Sequence, residues 1–115
     1  MHPPVAIPVV FYRTARSREP VRDCLKALPN EDRHTVGRDL AFVQYGWPVG
    51  MPLCRSLGGG LWEVRSDLPS RRIARVLFFL YEGQIALVHG FIKKTQQTPS
   101  DDIALARRRM REITG

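Results

Sequence analysis

The sequence predicts an α+β domain in the order β-α-α-β-β-β-β-α, with two N-terminal helices and a C-terminal helix packed on a mainly antiparallel sheet. Three observations predict it. Two segments with apolar residues at helical spacing precede a run of strand-like segments. Within that run, residues 61–66 alternate in polarity and residues 73–81 are almost wholly apolar. The last segment opens with residues that start helices.

Each element has its own warrant. Residues 5–12 are β-branched and aromatic and read as a strand. Pro8 cannot donate a ladder hydrogen bond, which points to an edge position or a late start. Residues 17–28 read as a helix, with Val21, Cys24, Leu25 and Leu28 at helical spacing and Pro20 tolerated in the first turn. Pro29-Asn30 breaks the chain. Glu31 and Asp32 then place negative charge where the next helix dipole favours it. That helix, about 31–45, carries Val36, Leu40 and Val43 and ends before Gly46 and Pro48.

Residues 53–57 form a short strand, and Gly58-Gly59-Gly60 a turn. In 61–66, Trp62 and Val64 point one way and Glu63 and Arg65 the other, as in a half-buried antiparallel strand. Pro69 helps turn the chain over 67–71. The apolar run 73–81 reads as a central strand covered on both faces. Glu82-Gly83 signals a tight hairpin, with 84–93 as the returning partner. The final helix is expected to take Thr98 as N-cap, Pro99 at its first position, and Asp101 and Asp102 in its first turn. Ile103, Ala106, Met110 and Ile113 make its apolar stripe, and Arg107, Arg108, Arg109 and Arg111 fill the other faces.

The 115 residues are expected to form a single domain, 1–115, and 43% are hydrophobic, enough for one modest core. Lys and Arg total 18 against 11 Asp and Glu, a formal charge of +7 with a pI near 10.3. A domain this basic attracts polyanions, nucleic acid foremost. The competing reading is a merely basic surface of arginine-rich composition, since only Lys26, Lys93 and Lys94 are lysines. Cys24 and Cys54 have no metal-ligand spacing and read as buried free thiols of a reducing compartment. No metal or cofactor motif is present. The N-terminus lacks the charged and apolar regions of a signal peptide, and no apolar run approaches the roughly 20 residues that span a bilayer. A cytoplasmic protein without membrane contact is expected.

The richest stretch is 85–99, where an apolar run ends in Lys93-Lys94 and a polar turn leads to a helix rich in arginine. A strand that delivers cations to its own end can set charge against a phosphate backbone. By alternation, His89 shares a face with Leu87, Phe91 and Lys93, whereas Lys94 faces the other way. His89 is a proton-transfer candidate near neutral pH, or a hydrogen-bonded histidine of the core or sheet edge. Arg75, inside an apolar strand, needs a partner: either a carboxylate such as Glu63, or a phosphate it grips. The arginines at 107–109 and 111 are a solvated helix face or a contact for RNA or a protein partner. Gly58–60 lacks the lysine and strand-to-helix context of a phosphate loop. RNA cleavage with the 2′-OH as nucleophile needs in-line orientation, a base, an acid and cations on the phosphorane, and Arg, Lys, His and Glu can divide those tasks.

Together, 60–65, 75–79, 89–95 with Thr98-Pro99, and the 106–110 helix resemble the RelE/HigB superfamily of toxins, most of all its phage-derived HigB-like branch. The resemblance runs from about Pro8 to Ile113 and is strongest over 57–113. It implies a RelE-like, microbial-RNase-type fold. It also implies a type II toxin that enters the ribosomal A site, cleaves mRNA as an mRNA interferase, and is neutralised by a cognate helix-turn-helix (HigA-like) antitoxin. Arg75 resembles the family's strand arginine near the scissile phosphate, and Lys93 or Lys94 the basic residue ending the last strand. Arg65 belongs to the matching strand motif. The catalytic set implied is Arg75, Lys93, His89 and Glu63; the RNA-binding set is Arg65, Lys94, Arg55, Arg107 and Arg108. RelE has lysines, one of them the general base, on the strand where this chain has Leu61 and Glu63. Glu63, His89 or Lys93 must then take that task. RelE's C-terminal tyrosine has no clear match, with Ile103 near its place. The related ParE toxins share the fold but inhibit DNA gyrase and cleave no RNA, so the fold alone leaves a gyrase inhibitor, or a basic nucleic-acid-binding module without toxicity, as alternatives.

Overall fold

The computed structural model describes residues 5–93 and 98–115. The elements are β1 (Val9–Phe11), α1 (Pro20–Lys26), α2 (Asn30–Gly46), β2 (Cys54–Gly58), β3 (Leu61–Asp67), β4 (Ile73–Tyr81), β5 (Gln84–Lys93) and α3 (Ser100–Thr114). This is the expected α+β order. The strands form one sheet in the order β1-β5-β4-β3-β2. β1 lies parallel to β5 at one edge, and every other pairing is antiparallel. Pro8 therefore sits just outside a short edge strand, where its missing donor costs nothing, and its carbonyl accepts from the Ile85 amide.

The sheet is covered on both faces, which explains the apolar run in β4, the central strand. On one face α1 and α2 bring Val21, Val36, Leu40 and Val43 against Val64, Val76, Phe78 and Leu87. Trp47, just past α2, meets Trp62 edge-on at 4.9 Å. On the other face α3 lays Ala106, Ile103, Met110 and Ile113 over Leu61, Leu77, Phe79 and Val88. The stripe read from helical spacing is the face that packs.

Alternation along β5 does not hold throughout. Leu77 pairs with His89 but Phe78 pairs with Leu87, so Val88 is an extra residue. Such a bulge reverses the facing of everything beyond it. Leu87 joins the α1/α2 core, whereas His89 and Phe91 face α3. The expectation that Leu87 shares the His89 face is thus corrected.

The start of α3 differs as well. Pro99 occupies the N-cap position and the helix begins at Ser100, without a side-chain cap. The Thr98 hydroxyl instead donates to Glu63 on β3, giving the buried carboxylate a second donor beside Arg75. Asp32 also does more than meet a helix dipole. Its buried carboxylate accepts from the Ser70 hydroxyl at 2.7 Å, the Ser70 amide and Arg72, tying α2 to the β3–β4 connection.

Candidate active face

The antiparallel register places the expected site residues in adjacent cross-strand rows on the face that α3 covers. One row is Arg55, Glu63, Leu77 and His89, read from β2 to β5. The next contains Arg65, Arg75 and Phe91, and the row at the sheet's end holds Asp67, Ile73 and the Lys93 strand position. Neighbouring strands are about 4.8 Å apart, so Glu63 and His89, two strands apart, are separated by roughly 10 Å along the sheet.

Glu63 and Arg75 belong to different rows but reach each other. Arg75 donates from a terminal guanidinium nitrogen to Glu63 at 3.0 Å, with both side chains sealed from solvent. Thr98 donates to the other Glu63 oxygen. Two charges in this setting require each other, since removal of either strands the other in low dielectric. Of the two readings the sequence left open for Arg75, the ion pair with Glu63 is present in this conformation.

His89 is held differently. Its ring Nε2 lies 2.6 Å from Oδ1 of Asp102, in the first turn of α3, and both side chains keep partial exposure at 13% and 16%. The Phe91 ring lies beside the imidazole, 5.3 Å between centroids. Asp102 has no pattern in the sequence that joins it to His89; helix-start chemistry accounted for it fully, and only the packing of α3 on β5 brings the two together.

The remaining cations divide by environment. Arg55 and Arg108 are exposed, and Arg65 is half-buried beside Arg38, Asp39 and Asp67 at a hollow of about 560 Å³. Arg107 is engaged in the scaffold. Its two terminal nitrogens donate to the Leu57 and Gly58 carbonyls at 2.7 and 3.0 Å, clamping the glycine turn between β2 and β3. The three turn glycines all have positive φ, and a Cβ on Gly59 would press to 3.0 Å against Arg107. Arg109 donates to the Val88 carbonyl at 2.9 Å and lies over the Tyr12 ring. Lys94 lies outside the described residues. No helix among the described residues is long and apolar enough to cross a membrane.

Titration behaviour follows from these contacts. A hydrogen bond to Glu112, reinforced by burial, raises the Tyr12 phenol above its ordinary value. Burial lowers the Arg109 guanidinium. The Ser70 hydroxyl, with the Ser70 amide and Arg72, holds the Asp32 carboxyl below the usual carboxylate range.

No curated protein matches the chain. Residues 23–111, from within α1 almost to the end of α3, match the family described as phage derived protein Gp49-like (DUF891). The chain therefore belongs to this phage-derived family, a RelE-like toxin family whose toxin–antitoxin organisation implies an antitoxin partner.

Proposed function

We propose that the chain is the toxin of a type II pair and acts as an mRNA endoribonuclease on the ribosome. The observation that supports this most is the gathering of Arg55, Glu63, Arg65, Arg75 and His89, with the Lys93 position, on one face of the sheet in neighbouring rows. Family membership supports it independently. In this reading the 2′-oxygen attacks the adjacent phosphorus, its proton passes to a base, and the bond to the 5′-oxygen breaks as that oxygen gains a proton. The products are a 2′,3′-cyclic phosphate and a 5′-hydroxyl.

His89, partly open to solvent, moves one of these protons. Glu63 is the second proton-transfer candidate. It acts once substrate displaces the Thr98 contact and a phosphate draws the Arg75 guanidinium away from Glu63, so that Arg75 meets charge developing on the phosphorane. Arg55, Arg65, Lys93 or Lys94, and Arg108 hold the RNA backbone. Arg107, occupied with the hairpin carbonyls, serves RNA through its position more than through free donors. A HigA-like helix-turn-helix antitoxin silences the toxin.

Induced expression should arrest growth, and mapping transcript 5′ ends should reveal new breaks spaced with codons on translated messages. Supercoiling defects without such breaks would instead place the target at DNA gyrase. Expression without growth effect would reduce the chain to a basic binding module.

A further inference from the structure

We propose that Asp102 is the positioning residue of His89: it takes the Nε2–H of the ring and thereby presents Nδ1 as the nitrogen that exchanges a proton with substrate. Geometry carries the inference at three points. The Val88 bulge turns His89 toward α3. Arg109 pins that bulge through the Val88 carbonyl. Asp102, seven residues before Arg109 and so on the same side of α3, then meets the ring at 2.6 Å. One helix sets both the backbone and the ring of the histidine.

A carboxylate accepts only, so the ring nitrogen facing it must carry the proton. The neutral imidazole then has its lone pair on Nδ1. Among the described residues, Asp102 is the only side chain hydrogen-bonded to the ring. Phe91 blocks its tilt on one side. The substrate-facing role of Nδ1 rests on the ribonuclease reading; the hydrogen bond and the protonated nitrogen do not.

Two measurements on the full chain test this. Long-range ¹H–¹⁵N NMR of the histidine rings, above the pH at which they titrate, should show His89 protonated on Nε2 with a hydrogen-bonded, slowly exchanging proton. That signal should vanish in Asp102→Ala and persist in Asp102→Asn, which keeps an acceptor. Protonation on Nδ1, or a signal surviving Asp102→Ala, overturns the proposal. In ribosome-dependent cleavage, Asp102→Ala should lower kcat by about 10²-fold with KM nearly unchanged. Asp102→Ala combined with His89→Ala should be no slower than His89→Ala alone, because Asp102 acts through His89. Multiplicative losses would overturn the coupling. A wild-type protein that cleaves nothing defeats the ribonuclease reading and the Nδ1 role, while the NMR still decides whether Asp102 positions the ring.

Discussion

Replacing Arg75 by methionine should destabilise the protein severely, and replacing Glu63 by leucine at the same time should largely repair it. Both residues are about 1% exposed, and their charged groups are 3.0 Å apart. Methionine fills much of the volume but removes the guanidinium, leaving Glu63 buried with the Thr98 hydroxyl as its remaining side-chain donor among the described residues. Stranding one member of a buried pair costs about 3–5 kcal/mol. A domain commonly has about 5–15 kcal/mol in total, so the variant would sit near its folding threshold. At a urea slope of about 1.5 kcal/mol/M, the midpoint should fall by roughly 2–3 M. Trp47 and Trp62, packed on the sheet, report the transition by fluorescence. Glu63→Leu with Arg75→Met exchanges the pair for apolar volume and should return to within about 2 kcal/mol of the parent. A loss below about 1 kcal/mol in Arg75→Met, or a double variant as unstable as the single, would refute the argument. The result bears on function as well. Lost growth arrest in an Arg75 variant carries catalytic meaning only at matched folded abundance, and in the double variant, which also lacks Glu63, it reports on the pair and not on Arg75 alone.

Arg107→Ala removes two donors from the glycine turn and should cost about 1–2 kcal/mol in thermal unfolding, whereas Arg108→Ala should leave stability within about 0.5 kcal/mol. On the proposed function, Arg108→Ala should also reduce the salt slope of RNA binding by about 1; an unchanged slope would remove it from the contact. Asp32 has a lowered folded-state pKa, so its stabilisation is fully present above the unfolded carboxylate value near ~3.9 and is lost as pH falls through the folded value. Asp32→Asn should flatten the stability–pH curve in that acid range, and parallel curves would contradict the assignment. Cys54 is buried, and its thiol is pushed up to about 11 by burial, with Asp39 adding to the effect. Burial and the raised thiol both keep the thiolate scarce near neutral pH, so a disulfide reagent should modify Cys54 no faster than the protein unfolds. Labelling faster than global unfolding would show the site to be open.

Helical spacing, strand alternation and turn residues are local properties, so the order of elements, the central strand β4 and the packing stripe of α3 were legible in the sequence. Family resemblance was legible for the same reason, through ordered local motifs. What happens between elements was not. The bulge at Val88 reversed the facing of Leu87 relative to His89, because one inserted residue leaves no mark in a run of apolar side chains. Thr98 looked like a helix cap until packing offered it the buried Glu63 carboxylate. The arginines of α3 looked alike, yet Arg107 and Arg109 are bound to backbone carbonyls of the sheet and Arg108 and Arg111 are exposed.

The candidate chemistry divides along the same line. Sequence alone determined which residue types were available and that β4 carried a charge in need of a partner. Tertiary structure decided that Glu63 is that partner in this conformation, and that Asp102, thirteen residues from His89, holds its ring. The reason is physical: desolvation and hydrogen-bond pairing depend on which side chains the sheet register and α3 packing bring within 3 Å, and that proximity is not a property of any local window of the chain.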